Sequence, residues 1–408
     1  MADLDLTITI GGVNYTQTSL ASARISSGRQ DIYSVGQPAY AQVALFDNDG
    51  TGFPIVVNDL LTIKMEDEEE ATLNPLFTGR VQDIAITFVP TVNGPRSVWT
   101  MTASSTLALL NRRQVLAGGA PAELDGTRAR RILQEGLFVR WEEFGSDTWA
   151  DTDPELAWDT IPPQVQVPIG DGDYEVAALD PNPGGYNAFS LIGELVTSVG
   201  GSLIEDGNGD VFYLSAYTRS TLVNETGYAT LPTQFFLADS LSGLQQASDL
   251  VNIIEVEYGD GVVEARDDES VAKFGRRSSV LRTILKDETV AQARADDLLS
   301  NLANPRTKLS SIEWALHAFE GLGFLGTLIP SVPVELAGLP NTLGPISRFM
   351  FIEGLEWNLL ENQRTLRLYV SDAQLSLASD RWQDIADTIR WDDVSATLQF
   401  SDARRVTT

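Results

Sequence analysis

Apolar and polar residues alternate strictly at the start of the chain, and this pattern limits its folds more than any other feature. Leu4, Leu6, Ile8 and Ile10 alternate with Asp5, Thr7 and Thr9, the two-residue period of a strand with one buried face. The pattern returns in AQVALF (41–46), LLTIKM (60–65), VQDIAITFV (81–89) and VWTMTA (98–103), with the turn-rich DNDGTG (47–52) after the first of these. Short strands at this spacing, separated by turn signals, predict a barrel or sandwich rather than a helical fold. The acidic run EDEEE (66–70) reads as a solvated loop between two of them. A length of 408 residues leaves room for further domains.

The middle of the chain is mixed. Residues 127–139 predict a short helix with Ile132, Leu133 and Leu137 on one side. Residues 145–185 are rich in Asp, Pro and Gly and read as loop. Residues 187–200 predict a second helix, N-capped by Asn187 and ended by Gly200. A hairpin follows, from GSLIE (201–205) through DGNGD to VFYLSAY (211–217). Strands then resume: Ile254, Val256 and Tyr258 alternate with Glu255 and Glu257, and SSIEWALHAF (310–319) and TLRLYV (365–370) follow. Between them, 287–305 predicts a helix with Asp287 as N-cap, an apolar face of Ala291, Ala295, Leu298, Leu299 and Leu302, and Pro305 as its stop.

Composition removes several chemistries. With no Cys there are no disulfides, thiolate metal sites or Cys nucleophiles. The single His, His317, lies on an expected strand, where a packed or interface role is expected, and no G-x-S-x-G elbow supplies a nucleophile for it. A net charge of −29 opposes a nucleic-acid grip, which needs basic patches; GRRSS (275–279) is too short to supply one. There is no P-loop and no dinucleotide fingerprint. DGNGD (206–210) imitates the start of a calcium loop, but Val211 and Tyr217 stand where that loop needs Gly and Glu, so a hairpin turn is expected. No cofactor and no metal are therefore expected. The apolar stretch 321–339 is broken by Pro330, Pro333 and Glu335, and the N-terminus has no signal-peptide pattern. The expectation is a soluble protein made in a cytoplasm.

The C-terminal segment carries a nine-residue repeat. RWQDIADTI (381–389) and RWDDVSATL (390–398) align without gaps, with QFSDARRVT (399–407) as a decayed third copy. Trp382, Trp391 and Phe400 superpose, and Arg381 and Arg390 precede the two Trp. Exposed Trp at this spacing is a good interface anchor, so these five residues are the candidate partner interface; the alternative is that both Trp fold back onto this chain's own barrel.

Taken in order, several stretches resemble the tail hub proteins of tailed bacteriophages: minor tail proteins of long-tailed phages of actinobacteria and baseplate hubs of contractile phages. FTGRVQDI (77–84) resembles that family's recurring first-barrel strand, and residues 22–50 are similar to the segment before it. DLVNIIEVEYG (249–259) resembles the strand that opens the second barrel, and the helix 287–303 with FIEGLEWNLLENQRTLRLYVSD (351–372) resembles that barrel's helix and closing hairpin. The terminal repeat is similar to C-terminal repeats of actinophage tail proteins. FIEGLEWNL (351–359) also echoes FTGRVQDI loosely, through Phe77 and Phe351 and a glycine displaced by one, as two related barrels in one chain would.

The resemblance implies a mainly β fold with α+β insertions. Two related, tail-tube-like β-barrels (1–112 and 241–372, the latter with helix 287–303) would flank a mixed α/β domain (113–240), followed by an extended arm (373–408). It implies a non-enzymatic virion protein of the tail tip, made in the host bacterial cytoplasm. As a homotrimeric hub it would adapt the symmetry of the tail tube, line or close the DNA channel and anchor receptor-binding or tip proteins. Its partners would be the distal tail or tail tube protein and other minor tail or tip proteins, with genomic DNA and tape-measure protein passing through unbound. Which acids would line the channel is left open. A receptor- or carbohydrate-binding tail module is the alternative, and a cell-wall hydrolase the third reading.

Overall fold

The computed structural model describes residues 6–15, 19–32, 34–67, 72–92, 94–138, 174–216, 219, 228–232, 236–237, 240–241, 243–259, 261–309, 311–316, 328–339, 347–360 and 363–372. The protein is mainly β. The N-terminal strands are β1 (Leu6–Ile10), β2 (Val13–Tyr15), β3 (Leu20–Gly28), β4 (Gln37–Phe46), β5 (Leu60–Asp67), β6 (Thr72–Thr91) and β7 (Gly94–Ser104). The alternation works as expected in β1, where Leu6, Ile8 and Ile10 are buried and Thr7 and Thr9 are half-buried. It works again in β4, where Ala39, Ala41, Val43 and Leu45 face the core. The expected strands at 60–65 and 98–103 lie in β5 and β7. VQDIAITFV is not a separate strand: it continues FTGR within the twenty-residue β6.

Short antiparallel clips follow. β8 (Gln114–Val115) pairs with β11 (Tyr186–Asn187), and β9 (Glu123–Leu124) with β10 (Glu175–Val176). Helix α1 (Asp125–Phe138) lies between them and buries Ile132, Leu133 and Leu137. Helix α2 (Ala188–Val199) starts where Asn187 accepts the Ser190 amide and ends at Gly200, whose φ of 74° is left-handed. The hairpin β12 (Ser202–Glu205) and β13 (Val211–Leu214) comes next.

The remaining strands are β14 (Ala229–Pro232), β15 (Gly243–Leu244), β16 (Ile253–Tyr258), β17 (Gly261–Arg266), β18 (Ser278–Arg282), β19 (Lys308–Leu309), β20 (Ser311–Ala315), β21 (Pro333–Ala337), β22 (Ser347–Leu360) and β23 (Gln363–Asp372). Helix α3 (Asp268–Phe274) precedes β18. Helix α4 (Glu288–Leu302) follows it, capped by Asp287, which accepts the Thr289 and Val290 amides.

Twelve strands join in one sheet in the order β14-β21-β22-β3-β4-β7-β6-β5-β1-β2, with β23 and then β20 on the other edge of β22. Strands from both ends of the chain therefore share one sheet and one core, in which Ile25, Val43, Phe77, Trp314, Leu336 and Trp357 are all buried. A second core unites α1 and α2 with β16, β17 and α4, through Ile132, Leu195, Val256 and Ala295. Among the described residues no barrel closes: the sheet path is open from β14 to β2.

The two ends of the sheet repeat one path. In the first set the order is β3-β4-β7-β6-β5-β1. In the second, β20, β23, β22, β21 and β14 take the places of β4, β7, β6, β5 and β1. The place of β3 is taken by residues around Phe236 and β15. Phe236 bridges Trp314 and β15 pairs with β19, just as β3 pairs with β4. The orders match; the direction of one strand does not, since β14 runs parallel to β21 while β1 is antiparallel to β5.

Candidate assembly surface

The repeat fixes a point where a long strand changes partner. In β6, Val81 donates its N–H to Asp59 O (2.9 Å) and accepts from Asn58 N–H (2.8 Å). In β22, Ile352 donates to Val332 O (3.0 Å) and accepts from Ser331 N–H (2.6 Å). Each residue is followed by a bulge, between Val81 and Asp83 and between Ile352 and Gly354. Val81 and Ile352 are thus equivalent, and so are Gln82 and Glu353. The sequence echo is three residues out of this register, since it aligns Phe77 with Phe351, which the hydrogen bonds make equivalent to Arg80.

Beyond the bulge the two strands differ. Gly354–Leu360 of β22 pairs with β3, from Gly354 opposite Gly28 to Leu360 opposite Ser22. This junction is tight: a Cβ on Gly28, whose φ is +81°, would lie 2.3 Å from Glu353 O, so only glycine fits. In β6 the equivalent stretch, Asp83–Val89, pairs with β7 on one edge, and no strand pairs with its other edge among the described residues. Apart from Ile84, which packs against the first core, its apolar side chains find no core either. Phe88 is 74% exposed, Ile86 45% and Val89 41%. An apolar strand with an open edge is a template for pairing with another chain.

A buried charge cluster pins the filled junction. Glu353 is the bulged residue of β22. It binds Arg29 Nε at 2.6 Å and Arg219 Nη2 at 2.9 Å, and it accepts the Ser371 hydroxyl. All three charged side chains are almost fully buried. Burial alone would raise Glu353, but the Arg219 and Arg29 charges, with hydrogen bonds from Arg219 and Ser371, carry it down to about 2. Arg219 also stacks 4.6 Å above the Phe351 ring. Arg29 follows β3 directly and its amide donates to Glu353 O at 2.8 Å, so the cluster ties the first strand set to the second. Nothing in local sequence marks it, because its members lie as far as 324 residues apart.

A second buried carboxyl, Glu205 at the end of β12, accepts the Ser105 hydroxyl and the Thr106 amide (2.7 Å). Burial pushes it up to about 8. The DGNGD segment is a turn: Asp206 Oδ1 accepts the Asn208 and Asp210 amides at 2.9 Å each. Gly207 packs so closely on β6 that a Cβ would lie 1.9 Å from Pro75 O. Among the described residues no group of three acids or His could hold a metal ion, and no helix is long and apolar enough to cross a membrane. The candidate interface residues Arg381, Trp382, Arg390, Trp391 and Phe400 lie outside the described residues, as do His317 and Glu68–Glu70 of the acidic run.

Comparison with protein-family models and with curated proteins gives no match. Among solved structures, the 43 kDa tail protein of prophage MuSo2 from Shewanella oneidensis is similar, at 12% identity and a TM-score of 0.58, over 91% of this chain and 99% of that one. The tail protein from Neisseria meningitidis MC58 is similar at 11% identity and a TM-score of 0.60, over 92% and 98%. At these identities the likeness is one of fold, and it spans nearly the whole of each chain.

Proposed function

We propose that this chain is a structural protein of a phage-type tail, and that it builds the hub at the tail's distal end as a homotrimer. The observation that carries the reading is the repeated sheet path, in a fold shared along its length with two tail proteins. Two similar strand sets per copy let three copies present six similar units to a sixfold tube. Each set would complete its barrel-like enclosure in the ring, consistent with an open sheet path in the single chain.

The hub's work is mechanical and needs no catalysis. It would join the tail tube to the tip or receptor-binding proteins and enclose the path of genomic DNA and tape-measure protein. A surplus of 29 negative charges per copy repels phosphate, so DNA slides past without binding. The Trp-Asp repeat of 381–407 would serve as an arm that docks on a neighbouring tail protein. Native mass spectrometry tests the reading, alone and with tail-tube protein. Three copies per particle are expected; a stable single copy in both conditions, or a ring of six, overturns it.

A further inference from the structure

The filled junction within the chain specifies how the open one is filled. Three observations converge on the open edge of β6. First, Asp83–Val89 is equivalent, through Val81 and Ile352, to the stretch of β22 that β3 covers. Second, the strand equivalent to β3 in the second set is itself uncovered. Phe236 bridges Trp314 as Leu20 pairs with Leu45, and Gly243 pairs with Leu309 as Ser26 pairs with Tyr40. Among the described residues no strand lies on the outer edge of Gly243–Leu244, and both residues are exposed. Third, beyond one acid at the start of each, Asp83 and Asp239, the two edges are uncharged: Ile84–Pro95 and Ser240–Ser248 carry no charged residue in a chain of net charge −29. Neutral edges are where two such acidic copies can approach.

We infer that the open edge of β6 pairs with the Gly243–Leu244 edge of a second copy of this chain, repeating between copies the β3–β22 junction found within one. The register follows from the internal one. Glu356 opposite Ser26 and Leu355 opposite Ser27 translate to Ala85 opposite Gly243 and Ile84 opposite Leu244 of the neighbour. Phe88, Ile86 and Val89 then lose their exposure at the new junction. The bulge residue here is Gln82 instead of Glu353, so no buried ion cluster is needed and copies part without stranding a charge. The inference rests on the ring reading only in requiring more than one copy.

The absence of cysteine from the chain makes the register directly testable. A tagged Ala85→Cys protein is mixed with an untagged Gly243→Cys protein under mild oxidation, beside native mass spectrometry of each. A tagged–untagged disulfide species is expected as the main product, and the pair Val56→Cys with Gly243→Cys should give none. An assembled protein without the 85–243 link overturns this pairing and leaves the ring reading standing. A protein that remains a single copy, with no link, overturns both.

Discussion

Asn58 and Ser331 hold the same backbone place in the two strand sets. Their φ angles are 76° and 71°, and each donates its N–H to the residue at which the following long strand changes partner, Val81 or Ile352. Left-handed φ is uncommon outside glycine, so its recurrence at equivalent positions is a local mark of the duplication. In both sets it turns the chain so that one strand edge ends and another can begin.

The exposed Asn58 should therefore tolerate glycine and reject a β-branched residue. Asn58→Gly is expected to change stability little, while Asn58→Val should cost about 1–2 kcal/mol. Urea unfolding of the two variants, compared at equal slope, measures the difference.

Glu353 is the anion that both Arg29 and Arg219 require. Glu353→Gln should destabilise the fold by about 3–5 kcal/mol, because two buried guanidinium groups lose their counter-charge. The pH dependence has a definite sign. The carboxyl is held at about 2 against an ordinary 4.5, so its contribution is complete above 4.5 and is lost as pH falls towards 2. Thermal melts between pH 5 and 2.5 should fall more steeply for the native protein than for the variant.

Glu205 has the opposite slope. Its folded form keeps the proton up to about 8, against an ordinary 4.5, so the folded state binds the extra proton across that window. Stability contributed below 4.5 is lost as pH rises through 8. Glu205→Gln mimics the protonated side chain and keeps an acceptor for the Thr106 amide. The melting temperature of the variant minus that of the native protein should rise between pH 5 and 9. A flat difference would mean that Glu205 is ionised throughout.

The exposed arm of β6 offers a separation of folding from assembly. Phe88 touches no core, so Phe88→Asp should alter unfolding free energy by no more than about 0.5 kcal/mol. Placed in a neutral apolar edge, the new carboxylate should weaken association of copies at least tenfold, read by sedimentation over a concentration series. Equal losses of stability and association would show that the arm belongs to the protein's own core.

Local order was legible in the sequence because it depends on neighbours a few residues away. The period-2 pattern placed β1 and β4, and cap chemistry placed α2 between Asn187 and Gly200 and α4 after Asp287. The Asp206 turn followed from residue type. The same alternation misled in part at VQDIAITFV: it promises one buried face, yet Ile86 and Phe88 are exposed in the single chain. Periodicity reports that a strand is suited to burial, not which molecule covers it.

The tertiary structure alone decided which edges meet. That β3 joins β22, that Glu353 faces Arg29 and Arg219, and that β6 keeps an edge open among the described residues are long-range facts. Every strand edge offers the same backbone N–H and C=O groups, so sequence alternation sets which face turns inward but is silent on the partner. A buried carboxylate is costly or stabilising according to the charges brought to it from elsewhere in the chain. Glu353 and Glu205, two acids in strands, were indistinguishable in sequence; packing drove one down to about 2 and the other up to about 8.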